Sequence, residues 1–157
     1  MVTYQYQPLE RTDDGDEIRV LRLHPCLPGA PLTGSLIPHL LPFEQPESGN
    51  PRPSDNTNSY EAVSYHWGSD STLPFNLLLT SSPTTLPTSS TPHIPLTPSQ
   101  HDLLRQFALP HRPRTLWIDG LCIQQSNPAE KEQQIKLMRR IYHSAARVLV
   151  YLGPAAD

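Results

Sequence analysis

Between Leu116 and Leu152 two short apolar runs flank one long amphipathic stretch, and this arrangement limits the possible folds more than any other feature of the chain. Leu116-Trp117-Ile118 is uninterrupted apolar sequence, as a strand covered on both faces requires, and it ends at Asp119-Gly120. Asn127 then offers a helix N-cap, with Pro128 at the first helical position and Glu130 at the third, a capping-box pattern. Ile135, Met138, Ile141, Tyr142 and Ala145 recur at helical spacing and predict the buried stripe. Lys136, Arg139, Arg140 and His143 fall mostly on the other side. Arg147 leads into Val148–Leu152, a second run expected to be a buried strand, closed by Gly153-Pro154. Strand, helix, strand within some forty residues is a βαβ unit, with parallel strands and a right-handed crossover expected. The fold class is α/β.

The remaining sequence, in a chain of 157 residues, fits the same single domain. Ile18–Leu23 alternates imperfectly between apolar and charged residues, which predicts a half-buried strand. A Pro-Gly-Ala-Pro turn follows from Pro28, and Leu32–Leu41 returns, so residues 1–43 read as a β-hairpin lead. Tyr60–Gly68 is rich in β-formers and closes on glycine, a strand entering a tight turn. Thr97, Pro98 and Gln100 form a second capping-box pattern and open a helix to Leu109, with Leu103, Leu104 and Phe107 turned inward. Proline supplies 19 residues, about 12% against a usual ~5%, and concentrates in two places. Residues 44–59 contain no apolar side chain besides proline and are expected to be a disordered linker. Residues 81–97, rich in Ser, Thr and Pro, are expected to be a mobile loop.

Charge and cysteine usage exclude several function classes. The net charge of −3 leaves no basic excess for duplex phosphates, so nucleic acid is not an expected partner. No apolar run approaches the ~20 residues of a membrane span, and Met1–Glu17 lacks a basic segment followed by an apolar one. A cytoplasmic location is therefore expected. Cys26 and Cys122 make no disulfide framework, and no histidine pair has zinc-ligand spacing, so no metal site is expected.

Two blocks carry a more specific signal. Y-E-A-V-S-Y-H-W-G (Tyr60–Gly68) and L-W-I-D-G-L-C-I-Q-Q, followed by E-K-E-Q-Q-I-K-L-M-R-R-I-Y-H-S-A-A-R-V-L-V-Y-L-G (within Leu116–Gly153), resemble the fungal heterokaryon-incompatibility (HET) domain. The family pattern runs roughly Y-x-A-L-S-Y-x-W-G, W-I-D-A-x-C-I-N-Q, then E-[KR]-x-x-Q-[VI]-x-x-M-x-x-I-Y-x-x-A and a closing L-G. The matches fall in order across residues 60–157. The resemblance implies a role in non-self recognition, ending in growth arrest or cell death when unlike strains fuse. It further implies a parallel, flavodoxin-type sheet remotely like that of Toll/interleukin-receptor (TIR) domains, some of which cleave NAD between nicotinamide and ribose. In one reading NAD is the substrate, with no cofactor implied; in the alternative the chain is a non-enzymatic module that pairs with other HET or TIR-like domains, or an inactive truncated product. His66, Gly120 and Gln124 depart from the pattern. The family continues into a block like R-x-W-x-x-Q-E, whose glutamate is the implied catalytic acid. That block lies beyond Asp157, so the domain reads as truncated and its catalytic residue is unknown. The same truncation predicts Val148–Leu152 as an open apolar edge and a chain that self-associates.

Several residues from these blocks merit individual weighing. Asp119 lies at the carboxyl end of a parallel strand, where open α/β sheets bind ligands; alternatively it caps the turn that follows. Ser64, Tyr65, Trp67 and Gly68 form a nucleotide-facing loop in one reading. In the other, Trp67 plugs the sheet edge and Gly68 supplies a positive φ angle. Glu130 reads as a capping carboxylate, and with Asn127 and Gly153 it is a structural element of the motif. Cys122 has no neighbour in sequence to activate it, and His66 reads as a surface or packing histidine.

Overall fold

The computed structural model describes residues 2–43 and 59–154. In chain order the elements are β1 (Val2–Thr3), β2 (Gly15–Leu23), β3 (Thr33–Pro42), β4 (Glu61–Tyr65), β5 (Phe75–Leu79), β6 (Pro92–Leu96), α1 (Pro98–Phe107), β7 (Arg114–Trp117), α2 (Asp119–Cys122), α3 (Pro128–Ser144) and β8 (Arg147–Tyr151). The strands form one mixed sheet in the order β1-β6-β5-β3-β2-β7-β4-β8. The class is α/β, as the strand–helix–strand pattern requires.

The parallel part comprises β7, β4 and β8, with β4 pairing in parallel to both neighbours. The first of the three in sequence therefore lies between the second and third, the opening order of a flavodoxin-type sheet. Trp117 of β7 meets Tyr142 of α3 edge to face, while Phe107 of α1 meets Tyr151 of β8. Since Trp117 pairs with Ala62 and Tyr65 with Tyr151, α3 and α1 cover opposite faces. Leu116, Trp117 and Ile118 are fully buried between them.

The hairpin of β2 and β3 is not a separate lead. β2 pairs antiparallel with β3 along its whole length and with β7 on its other side, which places it inside the sheet. It is correspondingly buried on both faces, Ile18, Val20, Leu21 and Leu23 all lying in the core, where the sequence pattern predicts a half-buried strand. Arg19 is buried too, and its charge is answered by a partner far away in the chain.

Helix α1 starts as expected. The Thr97 hydroxyl accepts from the Gln100 N–H and the Gln100 carboxamide oxygen accepts from the Thr97 N–H. The expected loop of residues 81–97 is only partly a loop. Residues 92–96 form β6, pairing antiparallel with β5, and bury Ile94 and Leu96. Two apolar side chains on one face suffice once a neighbouring strand supplies the backbone partners. The expected linker of residues 44–59 lies outside the described residues except for Ser59.

Two further expectations are corrected. Helix α3 turns Gln134, Leu137 and Ile141 inward, leaving Ile135, predicted to be buried, 52% exposed. At about 100° per residue, the next position along from an inward residue faces outward. The helix orientation is fixed by polar contacts that periodicity does not register: Arg140 reaches Asp16 and the Leu41 and Pro42 carbonyls. The Val148–Leu152 run is not the buried strand its composition predicts but the open apolar edge expected beside it: among the described residues β8 pairs with β4 alone, and Val150 is 64% exposed. Gly153 then leaves the strand at φ +100°, open only to glycine without strain. No helix among the described residues is long and apolar enough to cross a membrane.

Candidate functional site

The carboxyl ends of β4 and β7 bring together Tyr65, Trp67, Gly68 and Asp119. Asp119 is the first residue of α2, immediately after the buried strand β7. Its Oδ1 accepts from the Gly120 N–H at 2.7 Å and its Oδ2 from the Trp67 indole N–H at 3.3 Å. Asp119 thus fixes the following turn, as the capping reading expects, and is also tied to the loop after β4. The Trp67 ring runs parallel to that of Tyr65, 7° between planes with centroids 6.2 Å apart. Trp67 is 45% exposed, so it does not plug the sheet edge but lies as an aromatic shelf on the surface. Gly68 has φ +79° and lets the chain double back, its N–H meeting His66 Nδ1 at 3.0 Å.

The shelf rests on a second layer that sequence alone did not mark. Gln100 uses its carboxamide oxygen in the α1 cap and its Nε2 to donate to the Tyr65 hydroxyl at 3.3 Å. Gly120 passes so close that a Cβ there would stand 2.4 Å from the Tyr65 hydroxyl and 2.7 Å from Gln100 Nε2. The departure from the family's alanine at this position thus has a steric reason in this chain. Gln125 donates to the Asp119 carbonyl at 2.9 Å and Ser99 to the His66 carbonyl at 3.0 Å. Gln100 was legible as a cap; only the fold could reveal its second bond. Ser64 is exposed on β4 and takes no part in these hydrogen bonds.

The electrostatics separate the acidic residues. Burial raises the Asp119 pKa above its ordinary value, and the Gly120 and Trp67 donors and the Lys131 charge only partly oppose it. Burial likewise raises Tyr65, which stays a neutral phenol. Glu130 is different. Its oxygens meet Arg19 Nη1 at 2.5 Å and Nη2 at 3.0 Å, and Oε1 also accepts from the Gln124 N–H at 2.9 Å. Burial alone would raise its pKa, but Arg19 and Gln124 outweigh burial and hold it low. Asn127 caps α3 by accepting from the Glu130 N–H at 3.2 Å, so half of the predicted capping box forms, while the glutamate carboxylate turns to Arg19 instead. Glu130 therefore holds Arg19 rather than closing the capping box that the sequence suggests.

Arg19 completes this clasp by donating to the Cys122 and Gln7 carbonyls and lying over the Tyr6 ring. The clasp joins the N-terminal segment, β2, the end of α2 and α3. Cys122 is fully buried and its thiol is pushed up to about 12, which leaves it unreactive. Among the described residues no three His, Cys, Asp or Glu side chains are grouped to hold a metal ion.

A family model described as heterokaryon incompatibility protein (HET) matches residues 60–157. Heterokaryon incompatibility protein 6, OR allele, of Neurospora crassa is 35% identical over 161 residues, an alignment covering 98% of this chain and 21% of that protein. The chain thus spans about a fifth of the length of that curated relative. No solved structure matches.

Proposed function

The chain belongs to the heterokaryon incompatibility (HET) family, and from that premise we propose that it acts in fungal non-self recognition by engaging a nucleotide, NAD or a close relative, at the Tyr65–Trp67–Asp119 shelf, in a response that ends in growth arrest or cell death. The observation that supports this reading best is the Trp67–Asp119 hydrogen bond across two parallel strand ends. It sets an exposed indole face beside a carboxylate whose charge no arginine or lysine pairs within salt-bridge distance among the described residues. An indole face stacks a planar base, and a neighbouring carboxylate accepts hydrogen bonds from ribose hydroxyls. If TIR-like cleavage of the N-glycosidic bond follows, the developing oxocarbenium charge calls for a carboxylate near the ribose. The shelf residues bind and orient in this reading, and the acid of the chemical step is assigned to none of them. The test is nicotinamide release and NAD binding by the purified chain and by its Asp119→Asn variant. Saturable NAD binding that weakens in the variant supports the reading; absence of binding removes it.

A second reading has its own observation. Val148 and Val150 lie exposed on edge strand β8, with Leu152 just beyond. An apolar edge with unpaired backbone groups is suited to pairing with another chain, so the domain would act by assembling with HET or TIR-like domains without chemistry of its own. Val150→Lys is expected to abolish such assembly in a sedimentation experiment while leaving NAD binding unchanged.

A further inference from the structure

The opposite, amino-terminal ends of the parallel strands carry a second arrangement that the shelf does not use. A hollow of about 550 Å³ opens between the starts of β4, β7 and β8 and is lined by Glu61, Arg112, Arg114, Thr115 and Arg147, among others. Three of the chain's twelve lysine and arginine side chains therefore converge on one hollow containing a single carboxylate, in a protein whose net charge is −3.

The donor count shows which groups are already committed. Both Glu61 oxygens are occupied: Oε1 accepts from Arg114 Nε at 2.9 Å and Oε2 from Arg114 Nη2 at 3.0 Å, and Oε2 also forms an ion pair with Arg147 Nε at 2.7 Å. Arg114 also donates through Nη1 to the Phe107 carbonyl at 3.3 Å and lies over the Phe107 ring, so its guanidinium is fixed in place. Arg147 is held by one nitrogen and is 67% exposed along its side chain. Its two Nη groups, and all five N–H donors of Arg112, have no acceptor among the described residues. A guanidinium fork presents paired N–H groups at the spacing of two phosphate oxygens, and it does so without a change of protonation.

We propose that this hollow binds a phosphoryl dianion, with Arg147 and Arg112 as its ligands and the Glu61–Arg114 pair as the anchor that positions Arg147. Three guanidinium charges against one carboxylate leave an excess of two, which a dianion neutralises. The volume exceeds that of a bare phosphate and leaves room for the group that a phosphomonoester carries. The site lies at the end of the strands away from Trp67 and Asp119, so its occupancy is independent of stacking on the shelf.

The test is calorimetric titration of the chain with inorganic phosphate and, in a second arm, with O-phosphoserine. Saturable binding that weakens as sodium chloride rises is expected, with a loss of about tenfold or more in Arg112→Ala/Arg147→Ala. Both side chains are exposed, so the variant should keep the wild-type thermal midpoint, and Trp67 emission should not respond to either ligand. Comparable affinity in the two arms identifies the free anion as sufficient; tighter binding of O-phosphoserine identifies a phosphomonoester. Absence of saturation at millimolar ligand, or equal affinity in the double variant, overturns the proposal.

Discussion

Asp119 and Glu130 are two carboxylates eleven positions apart, each close to the start of a helix, and the fold holds them in opposite ways. Glu130 is gripped by the Arg19 guanidinium with both side chains less than a tenth exposed. Asp119 is held by a neutral indole and an amide N–H, beside an exposed ring. The first arrangement compensates a buried charge and fixes the relation between α3 and the hairpin. The second leaves a half-buried carboxylate with a raised pKa beside an exposed ring, spending little of its bonding on stability. The difference teaches where the fold is built and where it is available for ligands.

Removing Arg19 should have the largest effect. Arg19→Ala leaves Glu130 buried and unpaired, which costs about 3–5 kcal/mol of unfolding free energy and is measurable in urea. Gly120→Ala comes next, because the added methyl meets the Tyr65 hydroxyl; about 1–3 kcal/mol is expected, and Tyr65→Phe in the same chain should restore part of it. If Gly120→Ala is neutral, the layer beneath the shelf is looser than described.

The pH dependence should separate the two carboxylates by sign. Glu130 binds its proton more weakly in the folded chain than at its ordinary value of 4.5, so the unfolded chain holds more protons below that value and stability is lost as pH falls through the folded pKa. Glu61, held low by its bonds to Arg114 against burial, acts with the same sign. Asp119 runs the other way: its folded pKa lies above 3.8, and its contribution to stability diminishes as pH rises through the interval between the two values. Glu130→Gln should flatten the acid loss measured by denaturant unfolding, and Asp119→Asn should steepen the net acid loss. Arg147→Ala is expected to have the smallest effect, below about 1 kcal/mol, because its ion pair with Glu61 is largely solvated.

Much of the parallel half was legible in the sequence because its signals are local. Thr97 and Asn127 announce helix starts within three residues, and Leu116–Ile118 shows its double burial as a continuous apolar run. The hairpin turn and its two strands also appear at close to their observed positions. What escaped depends on contacts across the chain. Nothing near Arg19 indicates Glu130, 111 residues away, and without that partner a strand carrying arginine reads as half-exposed. β5 and β6 are short, β6 carries two prolines, and they become strands by pairing with each other and, on their outer sides, with β3 and β1. A stripe drawn from apolar residues alone misplaces Ile135, because buried Gln134 shares the inward face. Of the shelf, Trp67 and Asp119 were identifiable from their motifs. Gly120 and Gln100 were not, since their importance is a matter of distances to Tyr65.

The shelf is tested most directly by titrating the chain with NAD while following tryptophan emission. Trp117 is buried and Trp67 is exposed, so a ligand stacking on the shelf should quench Trp67 alone. Saturable quenching is predicted for the wild-type chain, absent in Trp67→Phe and shifted to about tenfold higher NAD in Asp119→Asn. Emission that does not respond to NAD, or saturates equally in Trp67→Phe, would contradict the account.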